Sequence, residues 1–282
     1  MKFQSSKADF FVPDGLEEIS ALSRTTHLCI GAHQDDIEIM AYHGIAECFR
    51  RSDRWMSGVI VTDGSGSART GIYGNYSDEQ MQEVRQQEQR KAAVIGEYAA
   101  QVQLAYPSSI VKDSNQTQVV DDLLSILATA KPEVLYLHNP ADKHDTHIAV
   151  LARSLAALRR LSAEERPRQV YGCEVWRDLD WLVDEAKEVL PVSAYPNMAT
   201  ALVGVFDSQI SGGKRYDLAT SGRRLANATY FASHATDQES ALTFALDLTP
   251  LIRDDQLSLS DFTLRLIDRF KDDVESRIQR LS

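Results

Sequence analysis

The chain has 282 residues, of which 43% are hydrophobic and 25% are charged, as is ordinary for a soluble globular protein. Its formal net charge of -11 argues against nucleic acid as the main partner, because phosphate backbones are bound by clustered Lys and Arg, although a small anionic substrate needs only a local basic pocket. No apolar run approaches the ~20 residues that span a bilayer, and the N-terminus lacks the apolar core of a signal peptide, so we expect a cytoplasmic protein without membrane contacts.

Short apolar segments alternate with amphipathic segments along the chain. The predicted strands are residues 27–32, 58–62, 102–106, 134–137, 170–176 and 201–206. The predicted helices are residues 38–50, 77–98, 119–130, 148–161, 217–232 and 261–281. Ser77, with Gln80 three residues later, predicts a capping box at the start of the second helix.

This alternation predicts βαβ units, and hence an α/β fold with a mostly parallel sheet and helices on both faces. We expect residues 1–282 to form a single α/β domain, with about residues 170–282 completing the sheet and the pocket. Such sheets bind ligands at the carboxyl ends of their strands. Three polar clusters follow predicted strands and are therefore the candidate sites: residues 33–38, 63–69 and 138–147.

The first cluster holds one imidazole and three carboxylates within six residues. One interpretation is structural, with Asp35 or Asp36 capping the next helix and His33 in the loop. The other is functional, because a hydrolytic zinc takes three His or carboxylate ligands, leaves a position for water, and needs a separate carboxylate as base. His33 and Asp36 could be ligands while Asp35 stays free. The third ligand must then come from elsewhere, and the scattered cysteines do not suggest a thiolate site.

The second cluster, residues 138–147, holds three of the seven histidines of the chain and two aspartates. A solvent-exposed polar loop is the alternative to a functional site. His144 and His147 are three residues apart and could share one face at the start of the next helix. One of them could then bind a metal while the other faces the substrate.

The glycine-rich cluster, residues 63–69, does not match a dinucleotide-binding motif, because Arg69 stands where G-x-G-x-x-G requires its last glycine. A wall of the pocket and a plain surface turn are equally compatible with it. The missing glycine argues against a nucleotide-dependent oxidoreductase or transferase.

The first and second clusters resemble two motifs of the LmbE/PIG-L family of zinc-dependent N-deacetylases. Residues 32–36 read A-H-Q-D-D and resemble the family motif A-H-P-D-D, and residues 144–147 read H-D-T-H and resemble H-x-D-H. The two motifs occur in the family order, about 110 residues apart, each after a predicted strand. By motif, the resemblance covers roughly residues 26–149.

The resemblance implies a Rossmann-like domain that binds Zn²⁺ through His33, Asp36 and His147. It implies that Asp35 is the general base and that His144 stabilises the oxyanion or acts as general acid. It also implies a hydrolase that cleaves the linear amide C–N bond of a small N-acetylated substrate of the amino-sugar type.

The sequence departs from the family pattern at two positions that bear on these roles. Gln34 replaces the usual proline, which removes no ligand. Thr146 stands where the family commonly has an aspartate that would orient His144. Asp142 or Asp145 could supply that contact instead.

Arg85 and Glu88 form an R-x-x-E pattern on a predicted helix. The family has a similar helix with its arginine directed toward the substrate, which implies that Arg85 binds substrate. The alternative is an exposed helical ion pair, which contributes ~0.3–0.5 kcal/mol.

Two further functions are compatible with the motifs. One is a non-catalytic protein that binds a small molecule or a metal and retains the fold, and the other is an amidase of a thiol conjugate. The free Asp35 beside a full ligand set favours an enzyme over a binding protein. The family resemblance also implies a homo-oligomer. The helix predicted at residues 261–281 could pack on a second subunit.

Overall fold

A computed structural model describes residues 1–282 and contains eight strands and twelve α-helices. The strands are β1 Asp9–Phe11, β2 His27–Gly31, β3 Met56–Thr62, β4 Ala100–Tyr106, β5 Val134–His138, β6 Gln169–Cys173, β7 Glu188–Pro191 and β8 Leu242–Asp247. The helices are α1 Glu18–Ser23, α2 Asp36–Met40, α3 Tyr42–Cys48, α4 Asp78–Ile95, α5 Ser108–Lys112, α6 Gln118–Ala130, α7 Asp145–Arg159, α8 Pro196–Gly204, α9 Asp207–Ile210, α10 Tyr216–Tyr230, α11 Pro250–Arg253 and α12 Leu259–Leu281.

All eight strands form one mixed sheet in the order β1-β4-β3-β2-β5-β6-β8-β7. The five central strands, β4, β3, β2, β5 and β6, are parallel, whereas β1 and β8 pair antiparallel with their inner neighbours. The predicted α/β fold with a mostly parallel sheet is confirmed. The edge strands β1 and β7, and β8 next to β7, were not predicted from the sequence.

Alternating side chains of β2 enter two different buried clusters, as the two-residue period of a strand requires. Leu28 and Ile30 join a cluster with apolar residues of α6 and α7, and Cys29 joins a cluster with residues of α3 and α4. Helices therefore cover both faces of the sheet. The long uninterrupted burial of β2 and β3 follows from this two-sided packing.

The strand predicted at residues 201–206 is wrong, because residues 196–204 form helix α8. Pro196 occupies the first turn, where its missing N–H costs nothing, and Met198, Leu202 and Val203 are buried at helical spacing. A short apolar run alone cannot distinguish a buried strand from a buried helix. The capping box of Ser77 and Gln80 at the start of α4 is confirmed.

The topological switch point lies between β2 and β5. From β2 the chain continues to β3 and β4 on one side, whereas β6 follows β5 on the other side. In open α/β sheets the crevice at the carboxyl ends of two such strands is where ligands bind. The first and second polar clusters are the segments that follow β2 and β5, so the topology brings them to the two sides of this crevice.

Helix α12 is amphipathic and none of its residues is fully buried. Phe262 and Leu266 in its first half pack against the main core, while Ile278 and Leu281 near its end are exposed. None of the helices combines the length and apolar character that crossing a bilayer requires.

We expect His27, at the start of β2, to make the free energy of unfolding depend on pH. Burial above all, followed by Arg54 and His43, lowers its pKa to about 4, whereas an unfolded histidine titrates near ~6.5. The contribution of His27 to the free energy of unfolding is therefore fully present above pH ~6.5. It is lost as the pH falls toward 4, by up to about 3 kcal/mol. The free energy of unfolding, measured with urea, should fall less between about pH 7 and about pH 4.5 in His27→Gln than in the parent protein. The exposed His234→Gln is the control, and an equal loss in all three proteins would contradict the expectation.

Candidate metal centre and pocket

The two motif loops converge on a set of three ligand atoms at the switch point. His33 Nδ1 lies 3.2 Å from His147 Nε2, and Asp36 Oδ2 lies 3.5 Å from each of these nitrogens. A tetrahedral zinc with ligands at ~2.0–2.1 Å separates any two of them by about 3.3–3.4 Å. The distances between these three residues, which the resemblance implied as ligands, therefore fit a small divalent cation.

His138 is a fourth histidine of the site, and no role was predicted for it. It is fully buried, its ring stacks on that of His147 with centroids 3.9 Å apart, and its Nε2 lies 3.4 Å from Asp36 Oδ2. Two groups of residues could therefore also hold a metal ion: Asp36, His138 and His147, and His33, His144 and His147. However, the backbone N–H of Ala32 donates to His138 Nε2 at 3.0 Å, which occupies the lone pair that a metal would need. His138 is better placed to support His147 than to bind the ion.

His144 is the N-cap residue of α7, and its ring orientation is set by the backbone. The N–H of Thr146 donates to His144 Nδ1 at 3.3 Å, so that a neutral His144 carries its proton on Nε2. Burial, followed by His147, lowers the pKa of His144, which favours this neutral form. The ring lines the pocket and offers a neutral N–H donor. The backbone amide of Thr146 thus supplies the orienting contact that the sequence assigned to Asp142 or Asp145.

Asp142 instead orients the metal-site histidine His147. Its Oδ2 lies 3.4 Å from His147 Nδ1, and the same carboxylate accepts hydrogen bonds from the backbone N–H groups of His144 at 3.0 Å and Trp176 at 3.1 Å. Burial would raise the pKa of Asp142, but the contact with His147 holds it below the ordinary value. A carboxylate behind a ligating histidine fixes the ring orientation and strengthens the ligand.

Asp35 is a buried carboxylate that lines the pocket beside the donor set. Its backbone lies in the left-handed region with φ of 97°, a strained conformation that Asp tolerates better than most residues. Asp35 is the N-cap residue of α2 by position, as the structural interpretation expected, but its side chain makes no capping hydrogen bond and faces the pocket instead. Burial, only partly offset by Arg85, raises the pKa of Asp35 well above its ordinary value, and the neighbouring Asp36 adds to the rise.

Gln89 on α4 supports the strained backbone of Asp35. Its Oε1 accepts a hydrogen bond from the N–H of Asp35 at 3.3 Å, while its Nε2 donates to Glu38 Oε1 at 2.9 Å. Tyr98 donates to the same Glu38 oxygen at 2.8 Å. Burial raises the pKa of Glu38 to about 8, so this third carboxyl group is mostly protonated at pH 7, which limits the negative charge beside Asp35.

Arg85 lines the pocket, and its guanidinium also joins two loops. It donates to the carbonyl oxygens of Gly64 at 3.1 Å and Gln34 at 2.9 Å, and lies 3.6 Å from Asp35 Oδ2. Glu88 does not pair with it, because its carboxylate accepts from the N–H and Oγ of Ser208 at 2.7 and 2.6 Å. The interpretation as an exposed helical ion pair is therefore wrong. Substrate binding by Arg85 stays a prediction.

The pocket above the donor set has a volume of about 540 Å³. The glycine-rich residues 63–68 form one wall, as one of the two sequence interpretations expected. The lining also includes Trp176 and Tyr216, whose rings meet edge to face with centroids 6.0 Å apart. Both aromatic residues come from the part of the chain that follows β6, beyond the recognised motifs.

Residues 28–158 match the family model described as "PIG-L: GlcNAc-PI de-N-acetylase", and this span contains both motif loops. Among curated proteins, none matches the chain at a significant level.

Solved structures with the same fold have low sequence identity to the chain. N,N'-diacetylchitobiose deacetylase from Pyrococcus horikoshii has a TM-score of 0.62 at 14% identity, over 81% of this chain and 85% of its own. GalB, the 4-carboxy-2-hydroxymuconate hydratase from Pseudomonas putida, has a TM-score of 0.60 at 15% identity, over 79% and 96%. The zinc-inhibited form of teicoplanin deacetylase has a TM-score of 0.56 at 16% identity, over 78% and 97%. These likenesses show the fold, which by itself does not decide between hydrolysis and hydration.

We expect Asp142→Asn to weaken metal binding about 10- to 100-fold, because it removes the carboxylate charge behind His147. Competition with a chromophoric chelator, using Zn²⁺ as the probe, measures the dissociation constant directly. Asp145→Asn is the matched control, since Asp145 is exposed in the same motif and makes no contact with His147. Equal affinities in the two variants would contradict the role of Asp142.

Proposed function

Because residues 28–158 form a PIG-L (LmbE-like) family domain, we propose that the protein is a zinc-dependent hydrolase that deacetylates a small N-acetylated substrate of the amino-sugar type. The observation that carries the proposal is the approach of His33 Nδ1, Asp36 Oδ2 and His147 Nε2 to within 3.2–3.5 Å of one another, beside the free carboxylate of Asp35. A binding protein needs the three donors but has no need of a strained, buried base.

His33, Asp36 and His147 would hold the ion. A bound divalent cation supplies Lewis-acid chemistry, polarising an amide carbonyl and lowering the pKa of water toward ~7.

Asp35 is the general base of the proposed reaction. It takes a proton from the attacking water and then passes that proton to the leaving nitrogen, so that acetate and a free amine are released. Its raised pKa suits this task, because a base works best when its pKa approaches the working pH. Gln89 and Arg85 keep the carboxylate in position through the backbone N–H of Asp35 and the contact with its Oδ2.

His144 stabilises the oxyanion of the proposed reaction. With Nδ1 engaged by the Thr146 N–H, its Nε2–H can donate to the carbonyl oxygen as negative charge develops there. A neutral imidazole that resists protonation is a poor general acid, so we assign His144 the oxyanion role and Asp35 both proton transfers.

Three observations support a sugar-like substrate. The pocket volume of about 540 Å³ suits a small molecule. Trp176 and Tyr216 offer the apolar ring faces on which sugars pack. A structural neighbour is described as acting on N,N'-diacetylchitobiose. A cytoplasmic location, a homo-oligomeric state and substrate binding by Arg85 stay predictions.

We expect Asp35→Asn to keep about one zinc per chain and to lose about 10²- to 10⁴-fold in the rate of acetate release, because the amide cannot accept the proton. Asparagine also tolerates the left-handed backbone of this position. Elemental analysis and an acetate assay with N,N'-diacetylchitobiose give the two readouts. Near-parental turnover in this variant would remove Asp35 from the mechanism.

We expect His147→Ala to lose both the metal and the activity, because it deletes one of three ligands. Its thermal unfolding should be compared with that of Thr146→Ala, which leaves the backbone amide and the ligands in place. Stoichiometric zinc in purified His147→Ala would exclude His147 as a ligand.

A further inference from the structure

The outer wall of the pocket carries positive charge although the chain as a whole has a formal net charge of -11. Lys112, Lys214 and Arg223 line the pocket above the donor set. Apart from Asp35 and Asp36 at the metal site, Asp63 is the one carboxylate in the lining. Asp63 Oδ1 already accepts hydrogen bonds from the N–H and Oγ of Ser65, at 3.1 and 2.9 Å.

The positive charge concentrates around Trp176. Lys214 Nζ lies 5.1 Å and Lys143 Nζ 5.9 Å from the centroid of the Trp176 ring. Arg223 on α10 donates through Nη1 to the carbonyl oxygen of Val175 at 2.5 Å, which holds its guanidinium next to the same tryptophan. The hydrogen bond from the Trp176 N–H to Asp142 ties this wall to the loop of the metal site.

No carboxylate of the chain neutralises this group by an ion pair. Glu174 is the acid that interacts electrostatically with Arg223. Burial raises the pKa of Glu174, and Arg223 is among the groups that oppose this rise. Its oxygens, however, accept hydrogen bonds from the N–H groups of Leu179 and Phe244 and from Asn227 Nδ2, at 3.0–3.1 Å. The N–H groups of Arg223 other than Nη1 and the ammonium of Lys214 are thus available to a ligand.

We propose that Lys214 and Arg223 form a subsite for an anionic group of the substrate, a carboxylate or a phosphate. The preferred substrate is then an anionic N-acetylated amine, with its acetamide at the metal site and its charged group beside Trp176. The planar guanidinium suits either oxyanion through paired hydrogen bonds, and Lys214 adds a second charge. The part of this inference that concerns the acetamide rests on the proposed deacetylase function.

Equilibrium binding to the zinc-loaded Asp35→Asn protein tests the subsite without turnover. The probes are N-acetylglucosamine, which is neutral, its 1-phosphate and 6-phosphate, and N-acetylmuramic acid, which carries a carboxylate. We expect at least one anionic probe to bind about tenfold or more tightly than the neutral sugar, as charge-assisted hydrogen bonds imply. Whether a phosphate or the carboxylate binds best identifies the anion.

Two variants in the same background separate the subsite from the general charge of the protein. Lys214→Gln, at an exposed position, and Arg223→Gln should each lower the ratio of anionic to neutral affinity, and the double variant should bring it to about twofold. Lys271→Gln removes the same charge from the exposed surface of α12 and should leave the ratio unchanged. Equal affinities for all probes, or an equal fall of the ratio in Lys271→Gln, would overturn the subsite.

Acetate release by the parent protein keeps the two proposals distinguishable. A preference for anionic probes that the double variant reduces to about twofold, without acetate release from any probe, would support the subsite and overturn the deacetylase. Release of acetate from neutral and anionic probes with equal kcat/KM would support the deacetylase and overturn the subsite.

Discussion

The mutual approach of His33, Asp36 and His147 is the constraint on which the rest of the site depends. It joins the loop after β2 to the start of α7 across the switch point of the sheet. Two carboxylates and several imidazoles are buried there, and burying such groups is costly unless charge compensates them. A divalent cation held by the three donor atoms would provide that compensation.

The residues behind the donor set keep this arrangement rigid. Asp142 orients His147 from one side, and the backbone amide of Ala32 fixes His138, on which His147 stacks. On the other side Gln89 holds the strained backbone of Asp35. Glu38 accepts a hydrogen bond from Gln89, and its raised pKa limits the negative charge that it adds beside Asp35. Each of these residues contacts a group that would touch the ion or the substrate. Loss of any one of them should therefore lower the activity more than the stability of the fold.

The sequence predicted the central strands from local signals, since short apolar runs identify β2, β3 and β5. The residue types after β2 and β5 indicated candidate ligands, and the choice of His33, Asp36 and His147 among them was implied by the family resemblance. The sequence could not predict that Thr146 orients His144 through its backbone amide, since this contact depends on the geometry of the helix start rather than on a side chain. No role was predicted for Lys214 or Arg223, because only the packing of α10 and of the residues just before it places them in the pocket lining.

Anomalous diffraction at the zinc edge, from crystals of the zinc-loaded protein, tests whether the three donor atoms bind one ion. We expect a single peak about 2.0–2.1 Å from His33 Nδ1, Asp36 Oδ2 and His147 Nε2. In the same map His138 Nε2 should keep its hydrogen bond to the N–H of Ala32. A peak bonded to His138 instead of His33, or no peak at the carboxyl ends of β2 and β5, would contradict this expectation.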